Sequence, residues 1–255
     1  MIFTDTHAHV FLDEFEGDFE NCFNRSTNAG VSRVFVPNID EFSIEAVKNI
    51  CLKYKQNYFP MMGLHPCSVS ENWEKQLEKI YSEFSNSKYF GIGEVGIDLY
   101  WDKSTFEIQK KAFVRQAQWA IDLNLPVSIH SRNATDEIIS IIKTEKLEKL
   151  KGVFHCFSGD ISQAETIINM GFYLGIGGTV TYKNSTLPQV IAKTGIKNIV
   201  LETDSPYLPP VPHRGKRNET SYIPLIASRI SEILEISIEK TAEITTNNSK
   251  NIFGI

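Results

Sequence analysis

Cysteine is scarce in this chain, and the four that occur, Cys22, Cys51, Cys67 and Cys156, form no CxxC pair and no regular spacing. That excludes a thiolate zinc site and a disulfide frame, and points to reduced thiols in a cytoplasmic protein. No apolar run approaches the roughly 20 residues needed to cross a bilayer, so no membrane contact is expected. The first apolar strand begins at Ile2, so no leader peptide is expected either. No segment is low in complexity, and no linker divides residues 1–255, which are expected to form a single domain. Positive charge is short as well: 26 Lys and Arg stand against 31 Asp and Glu, a net −5. That excludes a generally basic nucleic-acid coat while leaving room for a local basic cleft. Nothing in the sequence calls for an obligate protein partner.

What is present is a short apolar strand followed by an amphipathic helix, repeated along the chain. The predicted strands are Ile2–Phe3, Arg33–Val36, Tyr58–Met62, Tyr89–Ile92, Pro126–Ile129, Gly152–Phe154, Phe172–Ile176 and Ile199–Leu201. Their ends fall near His9, Asn38, His65, Glu94, His130, His155, Gly177 and Asp204, about 28 residues apart. A strand, a helix and two short loops need that length, and a hydrophobic content of 42% supplies a large core. The fold class is therefore α/β, a TIM-type (β/α)8 barrel. Between strands, Ser104 and Glu107 have capping-box spacing, and Asn124 with Pro126 ends the helix that follows. Asp160 is placed to cap a helix that Gly171 ends, and further helices are predicted over Glu71–Phe84, Leu225–Leu234 and Ile238–Ile252. The rival fold, an open doubly wound sheet, announces itself by a Gly-rich turn after the first strand. Here that turn holds His7 and His9 and no glycine.

His7 and His9 are two residues apart, so an extended strand turns both imidazoles to one face, with the Asp5 carboxylate two residues earlier. An H-x-H pair alone is equally an exposed strand end. The rest of the chain tips the balance, because five of its six histidines lie at or just past a strand end, the level at which barrel enzymes place their chemistry. Glu94 joins them from the fourth strand, His130 from the fifth, His155 from the sixth and Asp204 from the eighth. One divalent cation would be held by His7, His9 and Asp204, a second by His130 and His155, with the two oxygens of Glu94 bridging both. Two cations about 3.5–4 Å apart stabilise the attacking and leaving oxygens of an in-line displacement and lower the pKa of a shared water. Asp204 doubles as the candidate acceptor of the water's proton. Imidazole and carboxylate donors suit Mg, Mn, Fe or Zn and leave the metal open.

These residues sit in motifs that resemble the TatD family of metal-dependent deoxyribonucleases, within the amidohydrolase-like barrels. The motifs are Asp5-Thr6-His7-Ala8-His9, Gly63-Leu64-His65-Pro66, Gly93-Glu94-Val95-Gly96-Ile97-Asp98, His130-Ser131-Arg132, His155-Cys156-Phe157-Ser158-Gly159 and Glu202-Thr203-Asp204-Ser205-Pro206-Tyr207-Leu208, ending in Pro212-His213-Arg214-Gly215-Lys216-Arg217-Asn218. The resemblance implies a barrel, two divalent metal ions on the six ligands, and hydrolysis of phosphodiester bonds in DNA, often as a 3′-to-5′ exodeoxyribonuclease on single strands or 3′ ends. Its one departure is Glu219-Thr220, where the family has Pro after Glu. Related barrels often bridge their metals through a modified lysine at the fourth strand, and Glu94 in that place favours the nuclease branch. The alternative is a small-molecule amidohydrolase or phosphotriesterase-like hydrolase using the same metals.

A phosphodiester brings negative charge that must be met locally. His65 and Arg132 are the expected phosphate contacts, a turn residue and a salt bridge being their ordinary alternatives. Arg214, Lys216 and Arg217 form a basic cluster placed to overhang the barrel mouth, or else solvated surface. Asp98 and Glu202 are expected to orient histidines. Tyr100 and Trp101 offer a face on which a base can stack. The glycines 175, 177 and 178 mark either a bare strand end open to substrate or a tight turn.

Overall fold

The computed structural model describes residues 1–255. Eight strands occur in the expected order: β1 (Phe3–Asp5), β2 (Val31–Pro37), β3 (Tyr58–Met61), β4 (Ile92–Asp98), β5 (Val127–Arg132), β6 (Gly152–Phe154), β7 (Tyr173–Ile176) and β8 (Ile199–Leu201). Nine helices lie between and after them: α1 (Phe19–Asn28), α2 (Ile44–Lys53), α3 (Trp73–Ser82), α4 (Phe106–Leu123), α5 (Thr135–Thr144), α6 (Ile161–Asn169), α7 (Leu187–Thr194), α8 (Ile223–Leu234) and α9 (Ile238–Phe253). All paired strands are parallel, in one arc of β1-β2-β3 and another of β4 to β8 in chain order. Two seams join the arcs into a ring. At one, Met62 bridges Ile92 and the Gly93 N–H donates to Met62 O at 3.1 Å. At the other, Ala8 bridges Ser205, the Thr6 N–H donates to Leu201 O at 2.9 Å, and His9 N–H to Ser205 O at 2.8 Å. The structure is the expected TIM-type barrel.

Several strand bounds differ from expectation, those of the fourth and fifth most. The fourth begins at Ile92, where the expected strand ended, and runs to Asp98; the fifth runs on to Arg132, so Glu94 and His130 lie inside strands rather than after them. Polar residues read as loop, yet at the mouth of a barrel an inward polar side chain still belongs to the ladder. Gly96 sits at φ +148, and a Cβ there would stand 2.0 Å from His130 O, so β4 and β5 approach this closely only with glycine. The Ser104 capping box does not form. Asp102 instead accepts from both the backbone and the hydroxyl of Ser104, and α4 begins at Phe106 without a side-chain cap. Asp160 and Gln163 do cap α6 reciprocally, and Asn124 ends α4 at φ +50.

Most of the core, 51 buried residues, lies in one cluster that includes the inner faces of the helices. A smaller cluster of Phe35, Met61, Val153, Val200 and Phe253 forms a floor, where the Phe253 ring from the end of α9 stacks on Phe35 at 3.9 Å. Side-chain direction repeats every two residues in a strand, so Val153 shares its face with His155, and Val200 with Glu202. The same inward faces are thus apolar at the floor and polar at the mouth.

Candidate metal centre

Asp5, at the end of β1, is wholly buried and does not join the histidines as the H-x-H pattern suggested. Its carboxyl accepts from Thr203 N–H at 3.0 Å, Thr203 Oγ1 at 2.6 Å and His7 N–H at 3.2 Å. Burial pushes it up to about 8 against the Thr203 bonds that pull it down. Asp5 is a latch between β1 and the segment after β8, and that latch sets where His7 and Asp204 stand.

Beyond it, the ligand candidates from five strands converge on Glu94. Glu94 Oε2 lies 3.1 Å from His7 Nε2 and 3.3 Å from His9 Nε2. Those two nitrogens are 3.2 Å apart, and Asp204 Oδ1 lies 3.9 and 3.6 Å from them. The other oxygen, Glu94 Oε1, faces His130 Nδ1 at 2.6 Å, His155 Nε2 at 3.1 Å and His65 Nε2 at 3.4 Å. One carboxylate therefore spans two groups of imidazoles. The two oxygens of Glu94 thus face His7 and His9 on one side and His130, His155 and His65 on the other, while His7, His155 and Asp204 also lie close enough together to share one cation.

The outer atom of each ring decides what its inner atom presents. His155 Nδ1 faces the Glu202 carboxylate at 3.2 Å, and His130 Nε2 faces Asp98 Oδ2 at 2.9 Å. Each carboxylate is placed to accept from the outer nitrogen, which leaves the inner nitrogen of either ring available to a cation. His7 Nδ1 meets the Ser128 hydroxyl at 2.9 Å, which can accept in the same way. His65 is the opposite case. Its Nδ1 accepts the Cys67 N–H at 3.0 Å, so the neutral ring carries its proton on Nε2, toward Glu94. His65 therefore donates toward Glu94. The turn role foreseen for it is served by Nδ1, while Nε2 faces Glu94 Oε1 at 3.4 Å.

The donor set fits divalent cations. The inner nitrogens of His130 and His155 lie 2.6 and 3.1 Å from Glu94 Oε1, so each contact is held by a ring proton or by a cation in its place. Metal bonds of about 2.0–2.2 Å put neighbouring donors of a tetrahedral shell about 3.3–3.6 Å apart. The donors around Glu94 Oε2 span 3.1 to 3.9 Å. Glu94, Asp98, Glu202 and Asp204 meet no lysine or arginine. The protonation balance reflects the same shortage. Burial opposes charge on His130 and His155, yet Asp98 and Glu94 hold the first above the usual histidine range, and Glu94 and Glu202 hold the second well above it. Burial would raise Glu94, but His65, His155, His7 and His130 hold it well below the carboxylate range. Burial lifts Asp204 to about 6, and at 14% side-chain exposure it opens further to solvent than Glu94.

A histidine- and carboxylate-lined mouth occurs in many hydrolases, so the comparisons with known proteins are informative here. The profile of the family described as TatD related DNase matches residues 4–254. The chain belongs to that family. It is 38% identical to the metal-dependent hydrolase YabD of Bacillus subtilis over the full length of both chains. It is 31% identical to the metal-dependent hydrolase YjjV of Escherichia coli, over 99% of this chain and 98% of that one. The crystal structure of YjjV, a TatD homologue, superposes with a TM-score of 0.93 over 99% of this chain and 98% of that one, at 30% identity. An organophosphorus hydrolase variant from Deinococcus radiodurans shares the fold, with a TM-score of 0.67 at 11% identity, over 99% of this chain and 93% of that one. Like its TatD relatives, the chain is a metal-dependent hydrolase.

The basic residues divide. Arg132 makes no ion pair; its guanidinium lies 3.8 Å from the centre of the Tyr100 ring and 5.4 Å from that of Trp101. Tyr100 and Trp101 are 53% and 71% exposed, and their backbone N–H groups donate to Asp98 Oδ1 at 2.9 and 3.2 Å. Asp98 therefore joins the His130 ring to this aromatic loop. Arg214 rests on Tyr182, and Lys216 is exposed. Arg217, the third of that cluster, turns away: it pairs with Asp18 and with Glu219 at 2.9 Å, and donates to Glu14 O at 2.7 Å. The glycine-rich end of β7 is not bare. A Cβ on Gly175 would stand 2.2 Å from Glu202 Oε2, and one on Gly178 would stand 2.3 Å from Leu208 O. Those glycines make room for a buried carboxylate and for the loop after β8. Membrane contact has no support in the helices, none of which is long and apolar enough to cross a bilayer.

Proposed function

We propose that the protein hydrolyses phosphodiester bonds in DNA, acting on single strands or 3′ ends as a 3′-to-5′ exodeoxyribonuclease. In this reading two divalent cations, Mg, Mn or Zn, are held by His7, His9, Glu94, His130, His155 and Asp204. The observation that supports it most is the centre itself: one buried carboxylate between two sets of imidazoles, with no lysine or arginine to balance it. Bound there, the cations would supply Lewis acidity and charge neutralisation for an in-line displacement at phosphorus.

The protein's own groups account for the rest. Water adds to phosphorus, the bond to the leaving oxygen breaks, and the products are a phosphomonoester and an alcohol. Asp204, raised by burial to about 6 and partly open to the mouth, is placed to take the water's proton. The leaving alkoxide needs a proton in turn, which protonated Asp204 can return. The Arg132 guanidinium, which makes no ion pair, would meet a non-bridging phosphate oxygen, and His65 would do so by turning its Nε2–H from Glu94. Trp101 and Tyr100, exposed beside Arg132, give a base a face to stack on. That pair favours a nucleic-acid strand over the small-molecule amidohydrolase or phosphotriesterase alternative, to which the organophosphorus hydrolase likeness contributes only the fold.

The test is a purified protein incubated with a 5′-labelled single-stranded oligonucleotide, with and without Mg or Mn, beside a Glu94→Ala control. Metal-dependent shortening from the 3′ end, absent in the variant, is expected. Equal cleavage by the variant, or turnover confined to a lactone or phosphotriester panel, overturns the reading.

A further inference from the structure

Beside the metal centre, the loops that follow β6, β7 and β8 enclose a cavity of about 320 Å³. Ser158, three residues beyond His155, forms part of its wall, so it opens at the same end of the barrel as the ligands. Its other walls include Thr179, Tyr182, Lys183, Ser185 and Arg214, and no carboxylate. In a chain of net charge −5, a pocket with two cations and no acid is a local reversal of sign.

The cations are set on a braced frame. The Arg214 guanidinium lies 4.3 Å from the centre of the Tyr182 ring, and the Tyr182 hydroxyl donates to Pro209 O at 3.0 Å. Thr181 Oγ1 accepts the Val211 N–H at 2.9 Å, which ties the loop after β7 to the loop after β8. Arg214 makes no ion pair, and Thr179 Oγ1 is buried without a hydrogen-bond partner. A buried hydroxyl left unmatched is destabilising unless a ligand or water completes it. Arginine, lysine and hydroxyl donors around a small cavity are the chemistry that recognises phosphate. The loops after the seventh and eighth strands are where barrels commonly hold one.

We propose that this cavity is a second phosphate subsite, in which Arg214, Lys183 and the Ser158 and Thr179 hydroxyls hold a backbone phosphate of the strand at least one nucleotide from the bond being cut. The proposal rests on the DNA reading above and adds a length requirement: a substrate with a single phosphate cannot use the subsite.

The test uses the metal-loaded enzyme and fluorescein-labelled octathymidylates whose 3′-terminal linkage is a cleavage-resistant phosphorothioate. In each member of the set, one other backbone phosphate is replaced by a neutral methylphosphonate. Anisotropy is expected to show one position at which neutralisation weakens binding about tenfold, the scale of a charged hydrogen-bond pair. The Arg214→Ala/Lys183→Ala variant should bind the unmodified strand more weakly by a similar factor, and lose the dependence on that position. Its salt slope should be shallower by about 0.7, the share of one phosphate in a single strand. An unchanged affinity in the variant, or a positional profile that survives in it, overturns the proposal. So does a wild-type protein that binds no octathymidylate. Cleavage of an unmodified strand is followed separately, so a positional effect without cleavage would retain the subsite and discard the nuclease reading.

Discussion

Two clusters of carboxylates in this molecule look alike by spacing and differ in how their charge is met. On the flank of the barrel, donor atoms of Asp18, Cys22 and Glu219 lie within 4.8 Å of one another, as do those of His7, His9 and Glu94 at the mouth. In the first cluster Arg25 pairs with Asp18 at 3.0 Å and Glu219 at 2.8 Å, and Arg217 pairs with both acids. In the second, the acids meet only imidazoles and no lysine or arginine. Guanidinium is always charged and completes its partners, whereas a neutral imidazole leaves the cation to come from outside. Spacing alone does not make a metal site; an unmet demand for positive charge does.

The sharpest way to break this contrast is to remove the demand. Glu94→Gln keeps the shape and deletes the charge that both imidazole groups share. Metal content after dialysis, read by plasma mass spectrometry, should fall to background along with hydrolysis; full retention of metal would refute the charge argument. Asp98→Asn and Glu202→Gln are the next largest. They leave the inward donors in place but loosen the hold on the His130 and His155 tautomers, so a loss of about 10–100-fold in metal affinity or activity is expected. Titration with a competing chelator measures it, and an unchanged affinity would mean that those rings are oriented by packing instead.

On the arginine-closed side, Arg217→Ala should leave metal content and hydrolysis alone while lowering stability to denaturant by about 1–2 kcal/mol, discounted for partial exposure. A drop in metal content there would join the two clusters and undo the comparison. The smallest effect is on pH. Burial works to raise Glu219, but Arg25 and Arg217 hold it below its ordinary 4.5. A depressed acid stabilises the fold fully above its unfolded value and less as pH falls through the folded one. Asp18 is lowered by the same arginines, with Asn21 and Cys22 also bonded to it, so it acts in the same direction. The stability gap between wild type and Arg217→Ala should therefore be constant near neutrality and shrink below about pH 4.5. A gap that persists unchanged to pH 3 would show that Arg217 acts by packing on Phe15 instead.

Much of this was legible in the residues. Strand and helix periodicity gives eight units in the observed order, and the sorting of histidines to strand ends marks the candidate ligands. Reading failed where a residue's partner lies across the ring. Asp5 matched the histidine pattern but spends its oxygens on Thr203, 198 residues away. Arg214 and Arg217 belong to one basic run, yet one rests on an aromatic ring at the mouth and the other is bound to Asp18, just before α1, and to Glu219, two residues on. Gly175 looked like an opening for substrate and is the space filled by Glu202.

The sequence by itself determined the repeat of strand and helix, the family, and which side chains reach the mouth, because periodicity and motif are local properties of the chain. Only the tertiary structure decided which ring nitrogen carries a proton, which acids are already neutralised and where a second anion fits. Those are set by pairs of groups up to two hundred residues apart, brought within 3 Å when the barrel closes.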